Sequence, residues 1–234
     1  MSTIMERRFT ELRVEARLRS DEADTKIIGG YAAVFNKRSD DLGGFYEVVA
    51  PSAFNQARGK NFPGLVALYN HDGASLLGTT DARTLRADVD EMGLLYEVDI
   101  NADDPMAVGV HARVKRGDVS KSSFAFRVAG DEGDRWEMDD KGLVRRTLLN
   151  VQVFDVSPVN TPAYPDSSVG ARSAELALRS LATQMEADPA DVLAAAKEQE
   201  LRRFFKRTDG APAQREEVSA AAALALVLSK AKPA

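Results

Sequence analysis

VKRGDVSKSSFAFRV, residues 114–128, carries the end of a helix, a turn and the start of a strand. Lys115 and Arg116 followed by Gly117 form a helix-stop pattern. Three serines follow, Ser120, Ser122 and Ser123, and then an aromatic strand. Successive side chains of a strand point to opposite faces. Phe124, Phe126 and Val128 therefore share one apolar face, and Ser122 falls on it. Ser123, Ala125 and Arg127 share the other. With the aromatic face in a core, Ser123 is the hydroxyl presented away from it, beside a small alanine. The plainer reading of Ser123 is an ordinary polar strand residue, and parity alone does not displace it.

Upstream of this stretch the chain reads as strand-rich. RFTELRVEARL (8–18) alternates apolar and polar residues as one half-buried strand does. TKIIGGYAAVF (25–35) is a second strand, in which Gly29 and Gly30 predict a bulge or a close backbone approach. NKRSDDLGG is a loop before FYEVVAPSAF, and GLVALYNH (64–71) is a strand ending at His71, ahead of a turn-prone DGAS. TLRADVDEMGLLYEVDI (84–100) predicts two strands joined by a turn ending at Gly93. DDPMAVGVHARVKRG predicts a helix capped by Asp103 or Asp104, with Pro105 in its first turn. His111 is expected on that helix's surface.

Downstream, TLLNVQVFDVSPV (147–159) reads as one strand, and AGDEGDRWEMDDKG before it as a turn-rich polar excursion. From about residue 171 the texture becomes helical, in SAELALRSLATQME and PADVLAAAKEQELRRFFKR. TDGAPAQ is a linker, and EEVSAAAALALVLSKA a further helix candidate. The expected organisation is a β-rich domain over 1–170 and a helical tail over 171–234.

Composition narrows the chemistry. The 234 residues carry a formal net charge of −5, which argues against a general nucleic-acid binder. No apolar run reaches membrane-span length, and MSTIMERRF lacks the apolar stretch of a secretory signal, so a soluble cytoplasmic protein is expected. With no cysteine there is no disulfide, cysteine nucleophile or thiolate metal site. There are two histidines, His71 and His111, which argues against a multi-histidine metal centre. A serine hydroxyl is a poor nucleophile until a base takes its proton. If the chain holds a Ser–His pair, Ser123 with His71 is the best candidate, because His71 ends a strand where functional loops lie. The plainer reading of His71 is a surface turn residue.

LYNHDGASLLGTT (68–80), VKRGDVSKSSFAFRV and VFDVSPVNTPAYPDSSV (153–169), in that order, resemble the prohead maturation proteases of tailed bacteriophages. FYEVVAPSAF and GYAAVFN are similar to the N-terminal blocks of that family. The resemblance spans roughly residues 8–170. It implies a serine endopeptidase related in fold to the herpesvirus assemblins: mainly β with flanking helices (α+β), built on a closed antiparallel β-barrel. The family's Met-Ser-Phe-Gly-Phe motif aligns with Ser122-Ser123-Phe124-Ala125-Phe126, so Ser123 takes the nucleophile position and Ser122 is the fallback. His71 takes the place of the base. For the residue that orients the base, the resemblance leaves Asp155 and Gln152; Asp155 falls on the apolar face unless the strand bends before it. Backbone N–H groups of 157–161, or Arg127, are the oxyanion candidates.

The resemblance further implies a role inside the procapsid, in the host-cell cytoplasm, with no metal or organic cofactor. The expected partners are the major capsid protein with its scaffolding segment, a separate scaffold protein, and further copies of the chain. No membrane or specific nucleic acid is implied. The helical tail is then a cap on the barrel, or a scaffold-binding or self-processed segment. The rival readings are a catalytically inactive scaffolding protein of the same fold and an unrelated β-rich binding module.

Overall fold

The computed structural model describes residues 5–10, 12–19, 25–160 and 168–205. The TDGAPAQ linker and the EEVSAAAALALVLSKA helix candidate lie outside them, as does 161–167 of the SPVNTPAYPDSSV block.

Local chemistry sets the elements much as the sequence predicts. β3 (Lys26–Val34) and β8 (Gly93–Asp99) pair antiparallel because Gly29 lets the backbones close in. A Cβ there would lie 2.8 Å from the Tyr96 carbonyl oxygen. α2 (Pro105–Arg116) starts where the Asp104 side chain accepts the Met106 N–H at 2.8 Å. It stops at Gly117, whose φ of 93° is the left-handed C-cap.

Among the described residues the strands form three sheets. The first runs β1 (Glu6–Thr10), β9 (Lys121–Val128), β12 (Val151–Val159), β5 (Val66–Tyr69) and β6 (Asp72–Thr79). The second runs β2 (Glu15–Leu18), β3, β8 and β7 (Leu85–Val89), and the third runs β10 (Asp134–Met138), β11 (Val144–Leu148) and β4 (Phe45–Val49). The helices are the short α1 (Asn55–Gly59), α2, α3 (Ser168–Gln184) and α4 (Pro189–Lys197).

The first two sheets and α2 share one core. Phe124 and Phe126 of β9 lie in one buried cluster with Ile28 of β3, Tyr96 and Val98 of β8, Val156 of β12 and Val110 of α2. Each such side chain contributes about 1.5–3 kcal/mol on burial.

The expected closed antiparallel barrel does not form. Closure needs an unbroken circuit of strand pairing. Here the ladders stop at β1 and β6 in the first sheet and at β2 and β7 in the second. Among the described residues isolated links cross between sheets, such as Val14 N–H to Ser120 O at 3.0 Å and a single bridge from Phe35 to Val49. Nor is pairing antiparallel throughout: β12 with β5 and β11 with β4 are parallel. The stretch 8–18, read as one strand, breaks after Thr10, and its halves β1 and β2 join different sheets. Alternation persists through the break, so periodicity alone did not reveal it.

Other elements depart from the expectation in smaller ways. The 147–159 stretch divides into β11 and β12 at Leu149 and Asn150, and the polar excursion before it contains β10. DGAS opens β6 instead of extending a turn. His111 is buried at 7% exposure, not on the helix surface, because the face of α2 carrying Ala107, Val110 and Val114 also holds it. Burial pushes its imidazole below the ordinary range.

A buried ion network ties the third sheet to β1 and α3. Arg146 of β11 is 0% exposed and donates to Glu6, Glu47 and Asp134 at 2.5–2.9 Å. Arg8 of β1 also meets Glu6 and Glu47. From α3, Ser180 and Gln184 donate to Asp134 at 2.7–2.8 Å. Burial alone would raise the Glu6 carboxyl, but Arg146 and Arg8 outweigh it and hold it below the ordinary range.

Candidate active site

One hairpin turn and two strands build the site. β5 and β6 form a hairpin, Tyr69 pairing with Asp72, whose two turn residues are Asn70 and His71 with φ of 55° and 58°. A two-residue hairpin turn of the primed kind needs positive φ at both positions, and Asn and His tolerate it better than most residues. The turn is fastened to the end of β12. Asn70 N–H donates to the Pro158 carbonyl and Asn160 N–H to Asn70 Oδ1, both at 3.1 Å. His71 is thereby held over the strand that carries Asp155.

β9 separates the serines as parity predicts. Ser122 is 0% exposed in the core, where its hydroxyl meets Tyr96 Oη at 3.0 Å. Ser123 lies on the opposite face, and its Oγ is 2.6 Å from His71 Nε2.

β12 resolves the placement of Asp155. Val153 stands opposite Phe126, but Asp155 stands opposite Ala125, so the register slips by one residue at Phe154. This β-bulge leaves Val153 and Val156 on the core face and turns Asp155 and Ser157 to the Ser123 face. Without the slip the carboxylate would enter the core unpartnered, at a cost of several kcal/mol. With it, Asp155 Oδ1 lies 2.5 Å from His71 Nδ1. Gln152, the other orienting candidate, is exposed and stands opposite Arg127 in the ladder.

The structure thus brings His71, Ser123 and Asp155 together, all largely buried. A carboxylate only accepts, so the Asp155 bond fixes the imidazole proton on Nδ1 and leaves the Nε2 lone pair facing Ser123. The Ser123 hydroxyl has a second acceptor, the Arg8 carbonyl of β1 at 2.8 Å. Its single proton serves one of the two at a time. The pair borders a cavity of about 510 Å³ whose walls include Phe9, Thr10, Val49 and Asn160.

Other singled-out residues lie elsewhere or remain undescribed. Arg127 sits over the Phe154 ring at 5.2 Å. Thr161 is outside the described residues. The imidazole of His111 bonds the Arg17 backbone, and its Nε2 has no partner among the described residues. No group of side chains suited to a metal occurs among the described residues, and no helix there is long and apolar enough to cross a membrane.

Sequence reasoning missed two contributions. One is the Ser157 hydroxyl, 2.8 Å from Asp155 Oδ1; its two-residue spacing from Asp155 was a usable signal. The other is the Arg8 carbonyl, for which no side-chain pattern could stand.

A hydroxyl, an imidazole and a carboxylate in hydrogen-bonded series is the arrangement that general-base activation of a serine calls for. The sequence model for the caudovirus prohead serine proteases matches residues 14–180, and the chain belongs to that family. Searches of curated proteins and of solved structures return no match.

Proposed function

We propose that the chain is a serine endopeptidase that trims capsid-assembly proteins inside the procapsid during phage head maturation. The observation that carries this is the unbroken series Ser123–His71–Asp155, at 2.6 and 2.5 Å, in a member of the prohead protease family. His71 Nε2 takes the Ser123 proton as Oγ attacks a peptide carbonyl. The imidazolium, held by Asp155, then protonates the leaving amine, and water hydrolyses the acyl-enzyme. The substrates are the scaffold protein or the scaffolding segment of the major capsid protein, and the chain itself.

The protease domain spans 1–170 and the helical tail 171–234. The bonds from Ser180 and Gln184 to Asp134 support a capping role for the first part of that tail. Self-trimming then belongs to the 208–214 linker.

The test is co-expression with the cognate major capsid protein, followed by gel and mass analysis. Wild type is expected to trim it. Ser123→Ala is expected to lose about 10⁴–10⁶-fold in rate, as nucleophile removals do. Ser122→Ala should keep trimming, and His71→Ala should abolish it while His111→Ala does not. Trimming by Ser123→Ala would sink the assignment. Absence of trimming by the wild type would favour an inactive scaffolding protein of the same fold.

A further inference from the structure

We propose that Ser157 is a positioning residue for the Asp155–His71 pair, a fourth member of the site; this rests on the serine protease reading above. Ser157 is 0% exposed and stands directly opposite Ser123 in the β9–β12 ladder, so both side chains leave the same face. Its Oγ lies 2.8 Å from Asp155 Oδ1 and 3.3 Å from His71 Nδ1. Nδ1 carries the proton it gives to Asp155, so it cannot accept another. The Ser157 proton therefore goes to Asp155.

Both bonds end on one oxygen. Oδ1 accepts from His71 Nδ1–H and from Ser157 Oγ–H. Among the described residues Asp155 has no guanidinium or ammonium partner, and its one ionic contact is with His71. A buried carboxylate needs its donors. Ser157 supplies the second one and selects which oxygen faces the ring. It also shares the electron density of Oδ1, which limits how strongly Asp155 pulls on the imidazole proton.

The role has a consequence that a merely space-filling serine would lack. Removing the hydroxyl leaves Oδ1 to His71 alone, so the imidazolium–carboxylate form of the pair is favoured and the carboxylate is freer to rotate. In the full-length protein, Ser157→Ala is expected to lower kcat about 10-fold with KM little changed, the effect of losing a hydrogen bond to a charged group. The acid limb of the pH–rate profile should move to higher pH. Without any substrate, the low-field proton resonance of His71 Nδ1–H, identified by its loss in Asp155→Asn, should move further downfield. Ser157→Thr, which keeps the hydroxyl, should retain wild-type behaviour in all three readouts. Ser157→Cys replaces the alanine variant if thermal unfolding shows that alanine does not fold.

An unchanged profile and resonance in Ser157→Ala would overturn the inference, and so would equal effects in the alanine and threonine variants, which point to packing. Loss of cleavage in Ser123→Ala beside wild-type behaviour in Ser157→Ala rejects this inference alone. Cleavage by Ser123→Ala rejects the underlying reading, and the resonance still reports whether Ser157 bonds the pair.

Discussion

Ser122 and Ser123 are adjacent and chemically identical, and one peptide unit sends them to different fates. Ser122 satisfies the Tyr96 hydroxyl in the core. Ser123 meets an imidazole beside a cavity. The same contrast separates Asp155 from Gln152, one bonded to His71 and the other exposed. Asp155→Asn cannot hold the Nδ1–H tautomer and is expected to lose about 10³–10⁴-fold in kcat, the scale seen when a triad carboxylate is replaced. Gln152→Ala should stay within a few-fold. Steady-state kinetics on a capsid-derived peptide distinguishes them, and equal effects would count against Asp155 as the orienting group.

At the scale of elements, the site depends on two irregularities, the Asn70–His71 turn and the β12 bulge. Asn70 serves twice, as a residue that accepts φ of 55° and as the anchor for Asn160 N–H. Asn70→Ala should cost about 1–2 kcal/mol, the penalty for a left-handed alanine. Asn70→Gly should recover that stability but not the anchor. Its melting temperature should therefore match wild type while kcat/KM stays low. Full activity in the glycine variant would show that the anchor does not matter. Period and capping chemistry made α2, β3, β7, β8 and the split of the two serines legible in advance, because each follows from local side-chain spacing. The bulge was not legible. It inserts one residue into a strand whose apolar pattern, Val151, Val153 and Val156, reads equally well as a noisy alternation. Sheet membership was illegible for a related reason: pairing is decided by partners distant in sequence, as Glu6 of β1 faces Phe126 of β9, and a break such as that after Thr10 leaves alternation intact. Hence the three residues that meet could be picked out in advance, while the separation into three sheets could not.

Across the whole molecule, Arg146 gathers β1, β4 and β10 on one guanidinium. Glu6 is held below its ordinary value of 4.5. A carboxyl lowered on folding contributes stability that is present above its unfolded value and is lost as pH falls through the folded one. Wild type should accordingly weaken below about pH 4.5. Arg146→Met leaves buried carboxylates short of a partner and should cost about 3–5 kcal/mol at neutral pH. That deficit should shrink on acidification, as protonation removes the unpaired charge. Urea unfolding of both proteins at pH 7 and near pH 4.5 checks this; an equal deficit at both would mean the network contributes packing alone.

β1 also gives the site an order of construction. Arg8 precedes the serine it bonds by 115 positions, Glu6 precedes Arg146 by 140, and Arg7 precedes Ser173, whose hydroxyl takes its N–H, by 166. On a ribosome adding about 5–20 residues per second, β1 therefore waits many seconds for its partners. His71 likewise emerges well before Ser123 and Asp155. No fragment released before β12 can hold the full series, and β1 is not locked to α3 until that helix has left the exit tunnel. Translation itself thus delays the meeting of Ser123, His71 and Asp155 until β12 has been made.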